Sequence, residues 1–156
     1  MLDADVSDLG AIGSYPALDD ATATLEARAR AYLHVNCAIC HRPDGPSRTD
    51  LDFRYDVALA DTNACDALPE HGDLGVADAR VIAPEPARSL VSLRMRRRDA
   101  DQMPPMASNV VDEAGAQVVD EWISSLSLHL TPRPFPFPFP CLALAPALPL
   151  PPVIGR

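Results

Sequence analysis

The sequence contains no lysine: all 13 of its basic residues are arginine. Against 22 acidic residues this leaves a formal net charge of −9, spread along the chain rather than gathered in blocks. A diffuse acidic surface repels a phosphate backbone, so nucleic acid is excluded as a partner. Long hydrophobic runs are missing too. No stretch of about 18 apolar residues occurs, which excludes a transmembrane helix. Aromatics are scarce at 5%, with a single tryptophan, so large rings alone do not fill an interior. The opening residues, Met1-Leu-Asp-Ala-Asp, carry neither a basic nor an apolar segment and do not read as a signal peptide. A length of 156 residues suffices for one domain with a modest core and some additional chain.

Apolar periodicity divides what is present. Residues 1–16, with Gly10, Gly13 and Pro16, form an irregular lead-in. A helix is expected from a cap at Asp19 or Asp20 to about Asn36, with Leu25, Ala29, Tyr32 and Leu33 on one stripe. From Arg42 to about Pro84 the chain is rich in Asp, Gly, Pro and Asn without sustained period, and only Leu51–Tyr55 alternates like a short extended segment. Pro86 suits a first helical turn, and Ala87–Met95 is expected as a short helix facing Leu90, Val91 and Met95 inward. Asp112 caps a last helix to about Leu126, with Val118, Val119, Trp122, Ile123 and Leu126 on its apolar face. Residues 128–156 form a proline-rich tail. Nine of the last 26 residues are proline, a composition that favours polyproline II and works against helix or sheet. That tail is read as disordered and outside the fold.

At the end of the first predicted helix stands Cys37-Ala-Ile-Cys40-His41, the C-x-x-C-H pattern of covalent haem attachment. Two thiols add across the two haem vinyl groups, a two-residue spacer matches the separation of those vinyls, and the adjacent histidine supplies an axial nitrogen. A central haem would also fill the interior and organise a loop-rich middle that a compact fold ordinarily avoids. Three plainer readings compete. A thioredoxin-like redox pair normally sits in a βαβ setting, which is missing here. A zinc site lacks a second ligand pair at usable spacing. A structural disulfide leaves His41 unexplained.

A helix leading into C-x-x-C-H, a loop-rich middle, then Met103-Pro-Pro before a last helix together resemble the class I c-type cytochrome family, over about residues 19–126. The likeness is greater still to the cytochrome c domains attached to larger secreted bacterial proteins, through stretches such as Arg54-Tyr-Asp and Arg98-Asp-Ala-Asp-Gln-Met-Pro-Pro. The resemblance implies an all-α, cytochrome c-like fold over residues 17–127, with three to four short helices and long loops wrapped around one covalent haem c. It implies that first and last helices cross, with Tyr32 and Trp122 near the contact. Met103, 62 positions after His41, is the expected sixth ligand, since a thioether suits haem iron and proline commonly follows the ligand in this family. Met106 is the nearest alternative and Met95 a weaker one, expected in the core. His34 and His71 are weaker possibilities for bis-histidine ligation, and His129 falls past the last helix.

The implied function is single-electron transfer, without substrate chemistry, to a redox protein or a fused dehydrogenase-type domain. The alternative is a haem enzyme or gas-sensing domain with an open or labile sixth position. Because c-type haem is attached outside the cytoplasm, a periplasmic or extracellular location is expected, the chain being a mature form or a section of a longer exported protein. Cys65 and Cys141 remain: they can pair in an oxidising compartment, or Cys65 can be a buried free thiol. Arg94, Arg96, Arg97 and Arg98 form the one dense basic cluster, read either as a patch steering an acidic partner or as a solvated helix end. One departure from the family pattern concerns Gly45-Pro46, which comes too early to supply the carbonyl that usually orients the histidine, so the partner of the second His41 nitrogen is unassigned.

Overall fold

The computed structural model describes residues 14–127 and the pair Leu142–Ala143. Three α-helices account for its regular structure: α1 (Leu25–Cys37), α2 (Leu90–Arg96) and α3 (Glu113–Ser125). α1 and α2 both pack against α3. Two short strands, β1 (Leu126–Ser127) and β2 (Leu142–Ala143), pair antiparallel.

The start of α1 differs from expectation. Asp20 is occupied in a local turn, its Oδ1 accepting from the Thr22 amide at 2.9 Å and the Thr22 hydroxyl at 2.6 Å. Thr24 caps the helix instead, with its hydroxyl accepting from the Ala27 amide at 3.1 Å. The apolar stripe holds: Ala29 and Leu33 are buried, and Leu25 and Tyr32 pack at the edge of the core. Asp112 caps α3 as expected, its Oδ1 accepting from the Gly115 amide at 3.0 Å. From that helix Val119, Trp122 and Ile123 are fully buried, with Leu126 just beyond them.

The second expected helix is split. Pro86–Arg88 forms a single 3-10 turn, Ser89 is extended, and α2 begins only at Leu90. Ser89 is drawn into an isolated bridge with Arg80, where the Leu90 amide donates to the Arg80 carbonyl at 2.8 Å, and its own hydroxyl donates to the Val81 carbonyl at 3.2 Å. Tertiary pairing there outweighs local helix preference. Leu90 and Met95 still face the core, as the periodicity required.

Residues 42–84 are irregular, and side chains of α1 organise part of them. Arg30 donates from Nη2 to the carbonyls of Arg54, Tyr55 and Val57, while the Tyr55 amide donates to His34 Nδ1 at 3.1 Å. Leu51–Tyr55 is not part of a sheet; its Asp52 amide reaches the Thr62 carbonyl at 3.0 Å. Cys65 and Ile82 form a further isolated bridge that returns the loop to the core. Of the tail, Leu142 and Ala143 pair with Ser127 and Leu126. These two positions lack proline and so keep the amides that a ladder needs.

Candidate functional site

Cys37 is the last residue of α1, and the chain turns back on it at once. The amides of Cys40 and His41 both donate to the Cys37 carbonyl, at 3.1 and 2.9 Å. The Ser47 amide then returns to the Cys40 carbonyl at 3.3 Å. Gly45 permits that approach: a Cβ there would lie 2.9 Å from the Arg42 carbonyl oxygen and closer still to that of Cys40. Both motif cysteines are free thiols. Burial, with the neighbouring Cys40 sulfur, pushes the Cys37 thiol up to about 12, so it stays protonated at neutral pH.

The tight return places two hydroxyls beside Nδ1 of His41. Ser47 Oγ lies 3.1 Å and Thr49 Oγ1 3.2 Å from His41 Nδ1, and the two oxygens are 2.9 Å apart. The sequence alone does not reveal this partner, because hydroxyls six and eight positions beyond a histidine carry no recognisable signal. The ring meets Phe53 edge-on, with centroids 5.6 Å apart, and the Phe53 amide donates to the His41 carbonyl at 3.0 Å. Burial lowers the His41 pKa, which favours the neutral imidazole. With Nδ1 engaged, Nε2 is the nitrogen left for a metal.

A cleft of about 300 Å³ opens beside the end of α1. Cys37, Met103 and Met106 all line it, together with Met95, Val35 and Val110. Met103 is half-buried and its amide donates to the Arg94 carbonyl at 3.0 Å. Arg94 in turn grips Asp101 and His71 through their carbonyls, each at 3.0 Å, which ties the methionine strap to α2. Met106 is 76% exposed, and Met95 is a core residue. Cys40 and His41 are not part of the cleft lining, so the structure gathers Cys37 with the two methionines but leaves His41 on its own hydroxyl pair.

The remaining residues singled out in the sequence have other employment. His34 accepts from Tyr55, and His71 is exposed. Each arginine of the basic cluster is engaged within the chain: Arg94 with Asp101, Arg96 with Asp120 at 2.9 Å, Arg97 with Asp99 at 2.6 Å, and Arg98 with the carbonyls of Met95, Arg97 and Val110. Three of the four are thus paired with carboxylates, while Arg98 is held by main-chain carbonyls and keeps its charge. Cys65 is disulfide-bonded rather than a free thiol. Cys141 and His129 lie outside the described residues.

Searches of protein-family models, curated proteins and solved structures give no significant match. Among the described residues, no three of His, Cys, Asp and Glu converge as a metal site, and no helix is long and apolar enough to cross a membrane. The donors present nevertheless suit a covalently attached haem: two free thiols, an imidazole with one nitrogen held, and a thioether on a tethered strap. Val35, Met106 and Val110 are large apolar side chains left 65–81% exposed on a concave surface, where a planar apolar group would cover them. Arg98 also lines the cleft, and its buried Nε has no partner among the described residues, so a donor remains for an acidic substituent.

Proposed function

We propose that this chain is a monohaem c-type cytochrome domain that carries single electrons, its residues 17–127 adopting a cytochrome c-like arrangement. The observation that carries the reading is the Cys37–His41 turn, where two free thiols and an imidazole held at Nδ1 stand together at the end of a helix that packs on the last one. Cys37 and Cys40 would form the two thioether links, and His41 and Met103 would hold the iron. When bound, haem supplies an Fe(III)/Fe(II) couple, and His/Met ligation favours a high reduction potential.

The chain's own residues do the rest. Arg94 and the Met103 amide hold the strap, Phe53 meets the His41 ring edge-on, and Val35 and Val110 offer exposed apolar surface that a bound haem would cover. Met103 is preferred over Met106 because it is half-buried and tied to α2, whereas Met106 is 76% exposed. A redox protein or a fused dehydrogenase-type domain is the partner. The disulfide at Cys65 supports an oxidising location, periplasmic or extracellular.

Co-expression with a c-type maturation system, followed by haem staining after denaturing electrophoresis, tests the reading. A stained band that disappears in Cys37→Ala/Cys40→Ala is the expected outcome, and an unstained wild-type chain overturns it. A high-spin spectrum that shifts on adding carbon monoxide would identify an open sixth position and hence an enzyme or gas sensor.

A further inference from the structure

We infer that Ser47 and Thr49 form a hydroxyl pair that sets the electron-donating power of His41, and so the reduction potential of the centre; this rests on the haem reading above. A histidine bound to iron through Nε2 must carry its proton on Nδ1, and that proton needs an acceptor when the ring is packed against protein. The acceptors here are not a main-chain carbonyl or a carboxylate. They are two neutral hydroxyls, 3.1 and 3.2 Å from Nδ1.

Their own bonding leaves the pair an acceptor for the ring, whichever hydroxyl donates to the other. The Thr49 amide donates to Ser47 Oγ at 3.2 Å, which occupies one lone pair of that oxygen. The 2.9 Å contact between the hydroxyls lets one donate to the other, leaving an acceptor site facing the imidazole. Ser47 is placed by the return of its amide to the Cys40 carbonyl, which Gly45 allows. The acceptors are thus positioned by the same turn that presents the cysteines.

The strength of the acceptor governs how much negative charge the imidazole passes to the metal. A carboxylate at Nδ1 pulls the ring toward imidazolate and stabilises Fe(III). A neutral hydroxyl leaves the ring a weaker donor and favours Fe(II). Ser47 and Thr49 are accordingly positioning residues that hold the potential up while fixing the ring plane.

The test uses the matured full-length chain and compares Thr49→Asp, Thr49→Ser and Ser47→Ala/Thr49→Val by redox titration and thermal melting. Thr49→Asp should lower the midpoint potential, Thr49→Ser should leave it at the wild-type value, and the double variant should raise it. Melting temperatures that fall while the potentials of all three variants stay at the wild-type value would overturn the inference and leave the hydroxyls a structural role only. Should the double variant fail to fold, a potential lowered in Thr49→Asp but unchanged in Thr49→Ser still decides the matter. A wild-type chain that takes up no haem overturns the haem reading and this inference together, whereas unmoved potentials in stained protein overturn this inference alone.

Discussion

The Tyr32 ring of α1 occupies the space in which a side chain at Gly115 of α3 would begin. A Cβ at position 115 would lie 2.7 Å from Tyr32 Oη and closer still to two ring carbons. Gly115 also donates its amide to Asp112, the cap of α3, and the Asp112 carboxylate, after burial, raises the Tyr32 pKa. One glycine thus allows the two helices to meet and starts one of them.

Gly115→Ala should destabilise the domain by about 1–3 kcal/mol through overpacking. Thermal melting should show a drop of several degrees. Tyr32→Ala should relieve most of that penalty, so a double-mutant cycle between the two positions should be strongly non-additive. Additive losses would mean that the contact does not govern the helix crossing.

Met103→Ala should remove the long-wavelength charge-transfer band of methionine-ligated ferric haem, and Met106→Ala should leave it in place. Arg94→Gln should weaken the band in part, since the strap loses its ties to His71 and Asp101. Optical spectra of the three oxidised variants check this. The reverse pattern for the two methionines would make Met106 the ligand.

Cys65→Ser should cost the chain about 2–5 kcal/mol, the usual range for losing a native disulfide from a small secreted domain. Urea denaturation without reductant should reveal it as a lower midpoint. Equal midpoints for the variant and the unreduced wild type would show that the bond contributes no stability.

Asp52 is buried and accepts from the Arg54 amide, Nε and Nη2 at 3.1, 3.0 and 2.7 Å. The Arg54 hydrogen bonds hold its carboxyl below the usual carboxylate range. A pKa that is lower folded than unfolded contributes stability above the unfolded value of about 3.9 and loses it as pH falls through the folded value. Urea midpoints should therefore decline below about pH 4 and decline less steeply in Asp52→Asn. Parallel acid limbs would show that the pair with Arg54 is energetically idle.

The sequence made the helices and the attachment motif legible because both are local. The stripe of Ala29 and Leu33 and the face of Val119, Trp122 and Ile123 follow from a 3.6-residue period, and Cys37, Cys40 and His41 are close enough in sequence for their spacing to be read as a motif. It also marked Asp112 as the cap of α3 and singled out Met103, which the structure places on a strap beside the cleft. What it could not show depends on chain segments that meet only after folding. Thr24 replaced Asp20 as the cap because the Asp20 carboxylate was taken by Thr22. Ser89 broke a helix to pair with Arg80, and the arginine cluster met carboxylates on its own chain. The irregular stretch after Arg42 carries no period, so its order comes from Arg30 and His34 reaching across from α1. The sequence alone therefore determined which residues are candidates for holding a haem, since that is a property of side-chain chemistry at short spacing. Only the tertiary structure decided that Ser47 and Thr49 hold His41, because a hydrogen bond across a folded turn depends on where the backbone returns.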